Sequence, residues 1–69
     1  MERIPVTSSN IRAIGYDPDS QTLEIEFNHG SVYQYTGVPE HEYESMMNAD
    51  SKGQYLNANI KGRYPFIKL

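Results

Sequence analysis

The segment Thr22–Phe27 constrains the fold most, because polar and apolar residues alternate strictly along it. This period of two predicts a half-buried strand that carries Leu23, Ile25 and Phe27 on one face. The next three residues, Asn28-His29-Gly30, are typical of a hairpin loop, and residues 31–36 are predicted to form the partner strand. We therefore expect an antiparallel hairpin with a single apolar face.

The length of the loop determines the register of this hairpin. A three-residue loop with Gly30 in the left-handed conformation sets Ile25 opposite Tyr33 and Leu23 opposite Tyr35. A two-residue loop would turn both tyrosines toward the glutamate face, so the longer loop is expected. On this register Tyr33 and Tyr35 share the face that receives the helices, so we expect them in the core and not as an open platform for stacking RNA bases.

A further strand is predicted over residues 10–16, before the hairpin. Asp17-Pro18-Asp19-Ser20 then carries Asp and Pro at the positions that a type I turn prefers. The register of this strand stays open, since Ile11, Ala13 and Gly15 compete with Ile14 and Tyr16 for the inner face. Residues 1–9 are expected to be an irregular lead-in.

Two short helices are predicted after the sheet. Pro39 suits the first position of a helix that closes at residues 48–50, and Tyr43, Met46 and Met47 form its apolar stripe. Ser51 and Gln54 have the spacing of a capping box for the second helix, whose buried face carries Leu56 and Ile60.

Gly62 suits the end of the second helix, and residues 63–69 are expected to be an extended tail. The predicted fold class is therefore α+β, with a three-stranded antiparallel meander followed by two short helices packed on one face. At 69 residues, the chain is expected to be one domain, residues 1–69.

Composition excludes several classes of protein. There is no Cys, which removes disulfides, thiolate catalysis and cysteine zinc sites and suits a cytoplasmic protein. No apolar run approaches the roughly 18 residues that a membrane helix needs. Aromatic residues make up 12% of the chain, which argues against disorder, and we expect no cofactor.

Charge is distributed unevenly along the chain. Residues 1–50 hold all nine acidic residues and only two arginines, a formal charge of −7, whereas residues 51–69 hold four cations and no acid, a charge of +4. The basic segment could form an edge for an anionic partner, or it could fold back on the acidic part of the chain.

Several short motifs point to one family. They are Ser9-Asn10-Ile11, Ile14-Gly15-Tyr16-Asp17, Tyr33-Gln34-Tyr35, Val38-Pro39, Ser51-Lys52-Gly53 with Tyr55, Asn57 and Ile60, and Arg63-Tyr64-Pro65. Together they resemble the KTSC domain, which is named for its place at the C-terminus of some lysyl-tRNA synthetases and also occurs as small free-standing bacterial proteins. The resemblance implies a domain of unestablished function and suggests RNA (tRNA or single-stranded RNA) as a ligand.

A candidate RNA or anion site lies in the basic third of the chain. Ser51-Lys52-Gly53 could seat a phosphate at the start of the second helix, although a capping box alone explains Ser51 and Gln54. Any nucleic-acid surface is expected to combine Lys52, Lys61, Arg63 and Lys68 with Tyr55 or Tyr64. Four phosphate contacts predict only weak binding.

Enzymatic activity and metal binding are not expected. His29 and His41 are the only histidines, and His41 with its neighbouring glutamates fans outward on a helix instead of converging. The alternative to RNA binding is a protein–protein interaction module that acts through a sheet edge, with Val32 exposed, or by self-association.

Overall fold

The chain folds into a five-stranded antiparallel sheet covered on one face by two helices. A computed structural model describes all residues, 1–69. The strands are β1 (Arg3–Pro5), β2 (Ile11–Asp17), β3 (Thr22–Phe27), β4 (Val32–Tyr35) and β5 (Phe66–Lys68), and their order in the sheet is their order in the chain. Helix α1 spans Glu40–Met47, and helix α2 spans Lys52–Tyr55 and continues as a π-helical turn, Leu56–Ile60.

The prediction of three strands is wrong, because the lead-in and the tail each add an edge strand. Ile4 of β1 pairs with Ile14, and Ile67 of β5 pairs with Gln34. Each edge strand is only three residues long, too short to show an alternating pattern. These strands exist because the edges of the predicted meander supply partners for their backbone groups.

The central register agrees with the sequence prediction. Ile25 lies opposite Tyr33 and Leu23 opposite Tyr35, and Gly30 has a φ of 101° in the hairpin loop. The open register of β2 is resolved by a β-bulge between Ile11 and Ala13. Because the bulge inserts one residue, Ile11 and Ile14 both reach the inner face, which a regular strand would not allow.

The core lies between the inner face of the sheet and the helices. Met46 of α1 and Leu56 and Ile60 of the π-helical turn are fully buried against it, as their spacing predicts. Pro39 is the N-cap of α1 and not its first helical residue, and Gly62 ends the second helix with a φ of 81°. Neither helix is long and apolar enough to cross a membrane.

The outer face of the sheet carries the charged pairs of the fold. Arg3 Nη1 lies 2.6 Å from Glu24 Oε2, and Arg12 and Arg3 both contact Glu26. The Gln34 amide also donates to Glu24, at 2.9 Å. Burial alone would raise the pKa of Glu24, but the hydrogen bonds from Gln34 and Arg3 outweigh it and hold the pKa below its ordinary value. Both arginines of the acidic segment are thus engaged on the outer face.

Candidate functional site

An open groove of about 460 Å³ lies on the inner face of the sheet, where the π-helical turn leaves β4 and β5 uncovered. Aromatic rings form most of its floor, and amides and one lysine form its rim. The lining residues are Asn10, Phe27, His29, Tyr33, Tyr35, Leu56, Asn57, Lys61 and Phe66. The groove is formed by three strands, two loops and the π-helical turn with the lysine that follows it, so no single segment of the sequence contains it.

The rings of the floor contact one another in a continuous row. Tyr33 is at the centre, with its ring centroid 5.3 Å from that of Phe66 and 5.5 Å from that of Phe27. His29 stacks on the far side of Phe27 at 5.5 Å, with the two rings within 9° of parallel. Tyr35 is 2% exposed and belongs to the core, whereas Phe66 is 56% exposed. The row therefore presents accessible ring surface to solvent.

The groove carries positive charge and no carboxylate. Lys61 lies on its rim, and Lys68, paired with Tyr33, emerges on the same face of the sheet. Glu24 and Glu26 lie on the opposite face, where they are bound to arginines. A second cavity, of about 420 Å³ near β1, is lined by Glu2 and Asp17 and has no lysine or arginine. Of the two cavities, only the aromatic groove suits an anionic ligand.

The structure places Ser51, Lys52 and Gly53 at the start of α2, where they serve the fold. Ser51 Oγ accepts a hydrogen bond from the Gln54 amide at 3.2 Å, the bond expected of an N-cap. Lys52 Nζ bonds to the carbonyl of Ala49 at 3.3 Å. A Cβ on Gly53 would lie 2.5 Å from Asn10 Oδ1, so the absent side chain makes room for Asn10. The space beside Gly53 is thus occupied by the Asn10 side chain.

Tyr55 and Tyr64 both turn toward Glu42, a buried carboxylate of α1. The Tyr55 hydroxyl donates to Oε1, and the Tyr64 hydroxyl donates to Oε2 at 3.0 Å. The bond from Tyr55, aided by that from Tyr64 and opposed by burial, lowers the pKa of Glu42 below its ordinary value of 4.5. Neither tyrosine lines the groove.

The four cations of the basic segment are free of ion pairs, since all three ion pairs of the fold involve Arg3 or Arg12. Lys61, Arg63 and Lys68 are exposed, and Lys52 is half-buried. Of the residues predicted for the RNA or anion site, only Lys61 lines the groove. Arg63 lies near the Glu42 carboxylate and contributes to its lowered pKa.

Sequence reasoning missed most of the groove. The sequence predicts that Phe27 and Tyr33 lie on the helix-covered face, and they do, but the helices leave part of that face open. Phe66 could not be placed without β5, and Asn10 and Asn57 carry no pattern that marks them as neighbours. No three His, Asp or Glu side chains come together closely enough to hold a metal ion.

Comparisons with known proteins point to one family. The family model of the KTSC domain matches residues 7–64. An uncharacterized protein of Stutzerimonas stutzeri is 39% identical over 64 residues, which cover 93% of this chain and 90% of that protein. The crystal structure of a KTSC domain protein from Yersinia pestis superposes with a TM-score of 0.93 at 48% identity, and the alignment covers 99% of this chain and 96% of that one.

A larger protein also contains a related segment. A lysine–tRNA ligase of Nostoc punctiforme is 48% identical over 61 residues, which cover 88% of this chain. This chain corresponds to only 11% of the length of that ligase. The relatives thus include both small proteins of similar length and one segment of a much longer enzyme.

Proposed function

This chain belongs to the KTSC domain family, and we propose that it is a non-enzymatic module that binds single-stranded RNA weakly in its aromatic groove. The observation that carries the proposal is the row of rings centred on Tyr33, with Lys61 at its rim and no carboxylate among the lining residues. A cytoplasmic location is part of the proposal, because RNA and the tRNA ligases that use it are found there.

Aromatic rings on a sheet suit unpaired bases. Every base has a π-face, and stacking on a protein ring contributes about 1–3 kcal/mol per base with little sequence preference. Phe66 and Tyr33, with centroids 5.3 Å apart, offer adjacent stacking surfaces, and the amides of Asn10 and Asn57 can donate to or accept from base edges. A base paired in a helix could not insert among these rings, so the groove favours single strands and loops.

The charges around the groove suit a phosphate backbone. Lys61 and Lys68 flank the aromatic row and make no ion pair, so binding requires no internal bridge to break. Two to four phosphate contacts give a salt slope of only about −1.4 to −2.8 on single strands. Weak binding with a modest salt dependence follows.

The lysine–tRNA ligase relative supports the choice of RNA over other anions. Its name describes an enzyme that acts on tRNA, and its related segment is 48% identical to this chain. A tRNA exposes single-stranded bases in its loops and at its 3′ end, which are the parts a stacking groove can receive.

Phe66 and Ile67 provide a matched test. Both lie on β5 and are similarly exposed, at 56% and 58%, but Phe66 faces the groove and Ile67 faces the other side of the sheet. Fluorescence anisotropy with a labelled single-stranded RNA of about ten nucleotides, at low salt, measures their roles. We expect Phe66→Ala to weaken binding about ten-fold and Ile67→Ala to leave it unchanged.

The proposal fails if the wild-type protein does not bind this RNA at low salt, or if the two variants lose affinity equally. The same assay is repeated with a labelled tRNA and with an RNA duplex of the same length as the single strand. The duplex should bind more weakly than the single strand, because its bases are unavailable for stacking. Circular dichroism of both variants shows whether each retains the fold.

A further inference from the structure

We infer that the free edge of β5 (Phe66–Lys68) is a self-association surface, which pairs antiparallel with β5 of a second copy of this chain. The two sheets would then join into one continuous sheet across a two-fold axis at Ile67. The inference concerns the backbone edge of β5, whose residue Phe66 also lines the groove, and it does not depend on RNA binding.

The hydrogen bonds between β4 and β5 show which backbone groups are free. The Thr36 amide donates to the Pro65 carbonyl at 3.0 Å, and the Leu69 amide donates to the Val32 carbonyl at 2.8 Å. Since hydrogen-bonded residues alternate along an antiparallel strand, Ile67 also directs its backbone groups toward β4. Phe66 and Lys68 therefore direct their amides and carbonyls outward.

The opposite edge of the sheet lacks this capacity. The Val6 amide donates to the Arg12 carbonyl at 3.0 Å, so by the same alternation Ile4 faces β2, and Arg3 and Pro5 face outward. Pro5 has no amide hydrogen, which is a common way to protect an edge strand from pairing. Only β5 has a full set of donors and acceptors at its free edge.

The sequence of β5 is complementary to itself in this register. With Ile67 at the axis, Phe66 of one copy lies opposite Lys68 of the partner subunit, and Lys68 of the first copy lies opposite the partner's Phe66. Each of these two pairs forms two backbone hydrogen bonds. The lysine is thus placed beside an aromatic ring and not beside the other lysine, so a cation–π contact replaces like-charge repulsion. A register shifted by one residue in either direction would not preserve this pairing.

The exposed apolar side chains of β5 also favour pairing with a second copy of this chain. Phe66 and Ile67 are more than half exposed although they lie in a sheet, and pairing would bring the two Ile67 side chains together on the outer face. The pairs that meet across such an edge are few, so we expect a weak, concentration-dependent dimer.

A single introduced cysteine tests the contact directly, because the chain has none of its own. In the proposed dimer the two Ile67 residues form a non-hydrogen-bonded pair, whose Cα atoms lie about 4.5 Å apart, within the range of a disulfide. Ile67→Cys should form a disulfide-linked dimer quickly under mild oxidation. Ile4→Cys is the matched control, since Ile4 is also a half-exposed residue at the centre of a three-residue edge strand. Equal rates of cross-linking for the two variants would overturn the inference.

Sedimentation velocity over a concentration series measures the association without cross-linking. Lys68→Pro removes an outward amide and two of the four intermolecular hydrogen bonds, while Lys68→Ala retains them. We expect Lys68→Pro to dimerise at least about ten-fold more weakly than Lys68→Ala. A wild-type protein that stays monomeric up to about 1 mM, or a Lys68→Pro variant that associates as well as Lys68→Ala, contradicts the inference. Neither measurement involves RNA, so a result that contradicts dimerisation does not affect the proposal that the groove binds RNA.

Discussion

The hydroxyl of Tyr64 donates a hydrogen bond to the buried carboxylate of Glu42, 22 residues earlier in the chain, at 3.0 Å. Tyr55 donates to the other oxygen of the same carboxylate. This arrangement ties α1, α2 and the segment that leads into β5 to one charged group. A polar contact therefore helps to position the tail, although the tail itself is rich in apolar residues.

Replacing Tyr64 by Phe should lower the free energy of unfolding by about 1.5–3 kcal/mol, the usual contribution of a hydrogen bond to a charged group. Tyr33→Phe is the control, because the tyrosine hydroxyls that bond to other residues belong to Tyr16, Tyr55 and Tyr64. Urea unfolding of both variants measures the difference. If Tyr64→Phe is no less stable than Tyr33→Phe, the contact does not hold the tail.

The stability of the protein should fall in acid, and Glu42 should account for part of the loss. Its folded pKa lies below the ordinary value of 4.5, so its contribution is fully present above about that pH and is lost as the pH falls through the lower folded value. Glu42→Gln should flatten the decline of unfolding free energy below pH 4.5, whereas Glu44→Gln, an exposed change on the same helix, should not. Unfolding curves collected at several pH values make the comparison. Parallel declines for the two variants would contradict the role given to Glu42.

Gly15→Ala should detach β1 and destabilise the fold by about 1–3 kcal/mol. A Cβ at this position would lie 2.7 Å from the backbone carbonyl oxygen of Glu2, which cannot move without moving the strand. Gly53→Ala is the matched control, since its Cβ would meet the end of the Asn10 side chain, which can rotate. Hydrogen exchange of the Ile4 amide reports on β1. Unchanged protection of that amide in Gly15→Ala would show that the contact is dispensable.

The salt dependence of RNA binding should identify the cation that contacts phosphate. Lys61→Ala should reduce the slope of log affinity against log salt by about 0.7, the contribution of one phosphate on a single strand. Lys52→Ala is the control, because it removes the same charge from a residue that bonds to the Ala49 carbonyl and does not line the groove. Anisotropy titrations at several salt concentrations give both slopes. A larger change for Lys52→Ala would place the RNA at the start of α2 instead.

Local patterns were sufficient for the centre of the sheet and for the helices. The alternation of Leu23, Ile25 and Phe27 and the three-residue loop with Gly30 determined the register of the hairpin, and the spacing of Met46 from its neighbours determined the buried stripe of α1. These features depend on contacts between residues close in sequence, so a short window contains all the information they need. The match to the KTSC family rests on motifs spread along the whole chain and was also readable from sequence.

Only the tertiary structure determined the edges of the sheet and the groove. Strands β1 and β5 are stable because β2 and β4 form hydrogen bonds with them, and no local preference distinguishes Phe66–Lys68 from a loop. Likewise Glu42 reads as an ordinary exposed acid near a helix start until Tyr55 and Tyr64 reach it from later in the chain. The pattern of residue types along the chain predicts which side chains are buried away from water. Which side chains contact one another depends on how separate segments pack. That packing places Phe27, Lys61 and Phe66 around one groove.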